Sequence, residues 1–339
     1  MVPELSIVFM SVSAAIAIGL PVVLFFIWRR KYKLKAIPVL FGIAAFILFA
    51  LILEQIMHVL VLSPNADGSS SVILKNPVLF VLYGTMAAGV FEETARFLSF
   101  QILKKKHSGI GTGLAYGIGH GGLEAVFIAG LAMISNISVS IVINNGDAAL
   151  LGNDFATLAG INALITTESI NFLASGFERI LAVSVHVSLS VIVWCSVKLK
   201  GKLWLYPAAI LLHAVFNIPA TLYQFGVIRN IWLTEGLLVI PAVLIAALAY
   251  YFCKLMQSED EAAAIINVEA LVDANTVHEK GEGRREKGEE DEGEGRREKG
   301  EEDEEDEGEE DEEEEEEDEE DDDDENNDSD DAESDEDIV

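Results

Sequence analysis

Seven segments of this chain are apolar over the ~20 residues needed to cross the ~30 Å hydrocarbon layer of a bilayer. In lipid every backbone polar group must be satisfied within the segment, so these stretches can only be helices. They lie near 5–28, 37–63, 77–103, 109–134, 173–197, 203–224 and 231–253. Basic residues gather at alternate ends. Arg29, Arg30, Lys31, Lys33 and Lys35 follow the first segment, Lys104, Lys105 and Lys106 the third, Lys198, Lys200 and Lys202 the fifth, and Lys254 the seventh. The opposite ends offer Lys75 and Arg229. By the positive-inside rule the N-terminus is outside and the C-terminus cytosolic. The predicted fold is an all-α polytopic transmembrane helix bundle, N-out and C-in, integral to the cell membrane. The first segment has no basic stretch before it and a long apolar run, so it reads as a retained anchor.

Charge divides the chain in two. Residues 1–258 hold 16 Lys+Arg against 11 Asp+Glu, a net of +5, whereas residues 259–339 hold 7 against 45, a net of −38. We therefore place a membrane domain at 1–257 and an acidic low-complexity cytosolic tail at 258–339. Within the tail, 281–292 (GEGRREKGEEDE) recurs unchanged as 293–304. Such a segment cannot bury enough apolar surface to offset its ordering entropy, so it is expected to be disordered. It reads as a solvated tail, or as a weak tether for cations or basic proteins. It lacks the ligand spacing of a calcium loop. The low overall pI belongs to the tail, and nothing in the membrane domain suggests a nucleic-acid partner. Cys195 and Cys253 fall at cytosolic ends, where a structural disulfide is not expected.

The long connection at 135–172 is extracytoplasmic in this topology. Its apolar pieces, 137–143 and 155–165, are too short to span, and read either as a re-entrant or interfacial helix over the core or as a packed loop. Asn136-Ile137-Ser138 matches a glycosylation acceptor, which has meaning only in a eukaryotic secretory lumen.

Ionisable residues interrupt the apolar segments at four places: Glu92-Glu93-Thr94-Ala95-Arg96, His120 with Glu124, His186, and His213 with Asn217. Charged groups at such depth are costly and normally face a bundle interior. Glu93 is 11 residues from Lys104, His120 is 14 from Lys106, His186 is 12 from Lys198 and His213 is 11 from Lys202. At ~1.5 Å per residue all four lie roughly 16–21 Å below the basic belt. Four helices levelled in this way imply one polar chamber. Residues four apart share a helix face, so Arg96 is expected to neutralise Glu92, leaving Glu93 in need of its own partner. Glu54 and His58 also share a face but lie nearer the outer surface, and read as a structural pair. The fourth segment carries Gly117, Gly119, Gly121 and Gly122 around His120. A dinucleotide-binding reading fails for want of a strand, and small residues in a span favour close helix approach.

The ordered set Glu92-Glu93-x-x-Arg96, Gly117-Ile118-Gly119-His120-Gly121-Gly122-Leu123-Glu124, Glu178-Arg179 leading to His186, and His213-x-x-x-Asn217 resembles the YhfC family of intramembrane metalloproteases. That family sits within the superfamily of type II CAAX prenyl endopeptidases and PrsW-like proteases. The resemblance covers roughly residues 1–255. Two residues separate the Glu pair from Arg96 where CAAX endopeptidases have three, a spacing closer to PrsW proteins, which argues against assuming prenylated substrates. It leaves either Glu92 or Glu93 as the catalytic carboxylate.

What the resemblance implies is hydrolysis of a membrane-embedded or membrane-adjacent polypeptide. Glu92, Glu93, Arg96, His120, His213 and Asn217 would carry the chemistry. His120, His186 and His213 with Glu93 would form a donor set for a divalent metal, zinc foremost, and a metal-free Glu/His mechanism stays open. Two other readings of the same residues are a non-catalytic membrane scaffold and a proton-coupled transporter, although no inverted repeat of the transporter kind is present.

Overall fold

The computed structural model describes residues 1–64 and 70–259. The acidic tail beyond Glu259, its repeat and its expected disorder lie outside the described residues, and residues 258 and 259, placed with the tail by composition, belong to the last helix. Seven helices are long and apolar enough to cross a membrane. They are α1 (Glu4–Tyr32), α2 (Ala36–Leu62), α3 (Pro77–Leu103), α4 (Gly111–Asn144), α6 (Phe172–Lys198), α7 (Leu205–Phe225) and α8 (Ile231–Glu259). The shorter α5 (Phe155–Thr166) lies between α4 and α6. No strand occurs among the described residues.

Local chemistry sets the helix ends. Asn76 accepts from the amides of Val78 and Leu79 at 2.9 and 3.2 Å, and Pro77 takes the first helical position of α3, where its missing N–H costs nothing. Gly226 closes α7 in the left-handed region at φ 85°. Lys31, Lys33 and Lys35 line one cleft with Ser108, Gly109 and Gln257, so the basic residues form a rim at one end of the bundle.

The fourth segment runs ten residues further than its expected end near 134. No Gly or Pro interrupts 131–145, and Gly146, at φ 90°, is the first residue to break it. Asn144 then ties this end of α4 to the N-terminus. Its Nδ2 donates to the Val2 carbonyl at 2.9 Å, and its Oδ1 accepts from the Val2 amide at 2.7 Å. At ~1.5 Å per residue α4 is longer than the hydrocarbon layer is thick. The 155–165 piece is helical, as one of its two readings expects, but it lines no part of the chamber described below. Asp154 caps it, accepting from the Thr157 amide at 3.0 Å and the Thr157 hydroxyl at 2.6 Å. Those bonds hold the Asp154 carboxyl below its ordinary value.

α6 is the central helix. Its most apolar 18-residue window is 72% buried, against 28–33% for the other six spans. Glycines in α4 permit this packing. A Cβ on Gly121 would stand 2.7 Å from Cβ of His186, and one on Gly117 would stand 2.5 Å from Cα of Val187. Any larger residue would push α4 away from α6 and open the polar layer between them. On the opposite face, Gly119 lies against the Val39 carbonyl of α2. Both flanking helices also contain π-helical turns, Phe46–Glu54 in α2 and Val126–Gly130 in α4. Such widened turns re-aim side chains and are frequent at functional sites. Cys195 is buried and Cys253 half-buried at the basic end, with no disulfide between them.

Candidate active site

Two polar layers meet where α3, α4, α6 and α7 converge. The first joins Glu92 of α3, His120 and Glu124 of α4, and His186 of α6, all buried. One potential donor atom from each lies within 4.8 Å of the others. Glu92 Oε2 is 2.8 Å from His120 Nε2 and 3.6 Å from His186 Nδ1. His186 Nε2 is in close contact with Glu124 Oε2. Arg179 orients Glu124 from the far side, donating through Nη1 to Glu124 Oε1 at 3.0 Å and through Nη2 to Glu178 Oε1 at 2.7 Å.

The second layer is built on Glu93. Arg96 Nη1 donates to Glu93 Oε1, and His213 Nδ1 is 2.8 Å from the same oxygen. Arg96 Nη2 reaches His186 Nδ1 at 3.1 Å, which links the layers. The rings of His120 and His186, and of His186 and His213, have centroids 5.2 Å apart. Phe46 meets His120 edge-on at 5.3 Å and Tyr116 stacks beside it at 6.0 Å, so apolar walls shield this face from water.

A cavity of about 550 Å³ reaches this cluster. Glu92, Glu124, His186, His213 and Asn217 lie on its wall, with Glu54 of α2 among the other lining residues.

All the ionisable residues expected at one depth converge here, but in a different partition from the one the spacing suggests. Arg96 pairs with Glu93, three residues away, and not with Glu92, whose carboxylate is taken by His120. Of the four expected metal ligands, His120 and His186 stand in the donor group. Glu93 and His213 bond to each other one layer away, and Glu92 and Glu124 occupy the donor positions. Asn217 lines the cavity, one helical turn from His213. Glu124 as a donor and Arg179 as its anchor are added by the structure. The four-residue spacing of His120 and Glu124 was the available signal for the first. Glu54, read as half of a structural pair, does lie 3.4 Å from His58, yet it also faces the cavity.

The donor group suits a divalent cation. Two imidazoles and two carboxylates form an N/O set of the kind that zinc takes. Two buried carboxylates converging on one point are costly unless a cation offsets them. Convergence of four donor groups without lipid exposure makes a metal site the economical reading of this layer.

Comparison with known proteins points the same way. The family described as YhfC intramembrane metalloprotease matches residues 15–238. The uncharacterized membrane protein YhfC of Bacillus subtilis (strain 168) is 39% identical over 256 residues, covering 74% of this chain and 96% of the relative. No solved structure matches the chain.

Proposed function

The chain belongs to the YhfC intramembrane metalloprotease family, and we propose that it hydrolyses peptide bonds of membrane-embedded or membrane-adjacent polypeptides inside the chamber. The observation that carries this reading is the buried Glu92–His120–Glu124–His186 group at the base of a cavity large enough for a peptide segment. In the membrane we orient the chain with its N-terminus outside and its tail cytosolic, on the strength of the basic rim.

Glu92, His120, Glu124 and His186 would hold a divalent cation, with zinc our choice, and such an ion supplies Lewis-acid polarisation of a carbonyl and of water. Around it the protein's own groups divide the remaining work. His213 Nδ1 donates to Glu93 Oε1, which fixes the tautomer and leaves Nε2 to take up or release a proton. Glu93 is kept in place by Arg96, so the imidazole is held at a set angle on the cavity wall. His213 Nε2 can take the proton that the attacking water gives up and pass it to the leaving amine as the peptide C–N bond breaks. Asn217 can donate its amide to the substrate carbonyl oxygen as negative charge develops there. Arg179 holds Glu124, and Phe46 and Tyr116 keep bulk water from His120.

Mass spectrometry of N-terminal peptides in membrane fractions, from cells with and without the chain, tests the proposal. New N-termini within or beside transmembrane segments are expected only where the chain is present. Identical sets of N-termini would contradict peptide hydrolysis.

A further inference from the structure

The cavity has a direction. Every helix that lines it contributes residues from the donor group towards one end of the bundle. α3 supplies none beyond Glu92, α6 none beyond His186, and α7 none before His213. From there the walls run outward to Leu62 at the end of α2, Phe80 in the first turn of α3 and exposed Gln224 in the last turn of α7. These helix ends are opposite the lysine rim, since α1, α3 and α6 run towards that rim and α2, α4 and α7 away from it. On the proposed orientation the chamber is entered from outside the cell.

The charges along this route do not balance. Arg96 is bonded to Glu93, and Arg179 is shared by Glu124 and Glu178. A dication in the donor group would offset Glu92 and Glu124, and Arg179 would then offset Glu178. Glu54 is left over. It is 6% exposed, it lines the cavity, and its one side-chain partner among the described residues is His58 Nε2 at 3.4 Å. His58 is itself held through Nδ1 by the Tyr83 hydroxyl at 2.8 Å. Glu54 ends the π-helical stretch of α2, and the same stretch contributes Phe46, Ala50 and Leu51 to the cavity wall. A carboxylate buried without a cation is costly, and an arriving ammonium or guanidinium relieves that cost.

We propose that the chamber takes its polypeptide from the extracytoplasmic side and that Glu54 selects a segment carrying a basic residue near the scissile bond. The substrate class is thus a membrane protein cleaved at or within the outer leaflet, with Lys or Arg entering beside α2. This deepens the peptidase reading and rests on it.

Thiol labelling in cells supplied with zinc tests the route and the charge without requiring turnover. In the full chain carrying Cys253→Ser, Ala88→Cys on the cavity wall is treated with two membrane-impermeant methanethiosulfonates, one bearing trimethylammonium and one sulfonate. Ser63→Cys, exposed at the end of α2, is the reference. Both positions are expected to react in intact cells. The cationic-to-anionic rate ratio at Ala88→Cys should exceed that at Ser63→Cys by about tenfold, as expected for a nearby charge in a partly dry cavity. Glu54→Gln should return the ratio to the reference value. If Ala88→Cys does not accumulate, Ala220→Cys on the α7 wall reports the same cavity. Reaction of the cavity cysteine only in inverted vesicles would overturn the route, and the same result at Ser63→Cys would overturn the orientation. A ratio equal to the reference, or one unmoved by Glu54→Gln, would overturn the role of Glu54. None of these failures touches the peptidase reading, and absence of new N-termini in the cleavage experiment would leave the labelling result intact.

Discussion

Glu93→Gln is expected to destabilise the folded protein by about 3–5 kcal/mol, the usual cost of breaking a buried ion pair from one side. Glu93 and Arg96 are both fully buried, and the carboxylate is the one acidic group bonded to that guanidinium. Gln keeps the size but leaves the buried Arg96 charge without its carboxylate. It also weakens the support under His213 Nδ1. The protein should therefore accumulate poorly and melt at a lower temperature in detergent, read by fluorescence-detected size-exclusion chromatography. Glu93→Gln combined with Arg96→Met removes both charges, so it should restore accumulation without restoring cleavage. A single variant as stable as the parent would show that the pair does not anchor this layer.

His213→Gln is expected to have the opposite profile. The Gln amide can still donate to Glu93, and Glu93 keeps Arg96, so stability should stay near that of the parent. Gln cannot take up and release a proton. Loss of a positioned acid–base group typically lowers a rate by about 10²–10⁴-fold. Abundance of the new membrane N-termini should fall accordingly while the protein accumulates normally. Undiminished cleavage by this variant would remove His213 from the chemistry and leave Glu93–His213 as a packing pair.

These two residues also show how far the sequence could be read. The seven spans were legible because apolar length and basic flanks are one-dimensional signals, and lipid permits few other folds. Depth was legible for the same reason: counting from Lys104, Lys106, Lys198 and Lys202 levelled Glu93, His120, His186 and His213 correctly. Rotation was not. Glu92 and Glu93 differ by about 100° around α3, and which of them meets Arg96 depends on helix packing and side-chain reach, which counting residues does not supply. Spacing by four favoured Glu92, whereas the fold gives that carboxylate to His120. Glu54 was legible as the partner of His58 but not as a lining residue of the cavity. Its inward aim comes with a π-helical stretch, and the run Phe46–Glu54 looks in sequence like any other apolar helix. The overrun of α4 to Asn144 was legible in principle, since no breaker precedes Gly146, but the expected span was cut at membrane thickness.

The metal content of the purified chain tests the donor group most directly. Protein extracted in mild detergent, supplied with zinc and dialysed should retain about one zinc per chain by elemental analysis, as a buried four-residue donor set requires. Glu92→Gln combined with Glu124→Gln removes both carboxylates from that set and should reduce retained zinc to background, with the chain still eluting as a folded species. A parent protein that retains no divalent metal, or a double variant that retains as much as the parent, would contradict the assignment of Glu92, His120, Glu124 and His186 as a metal centre.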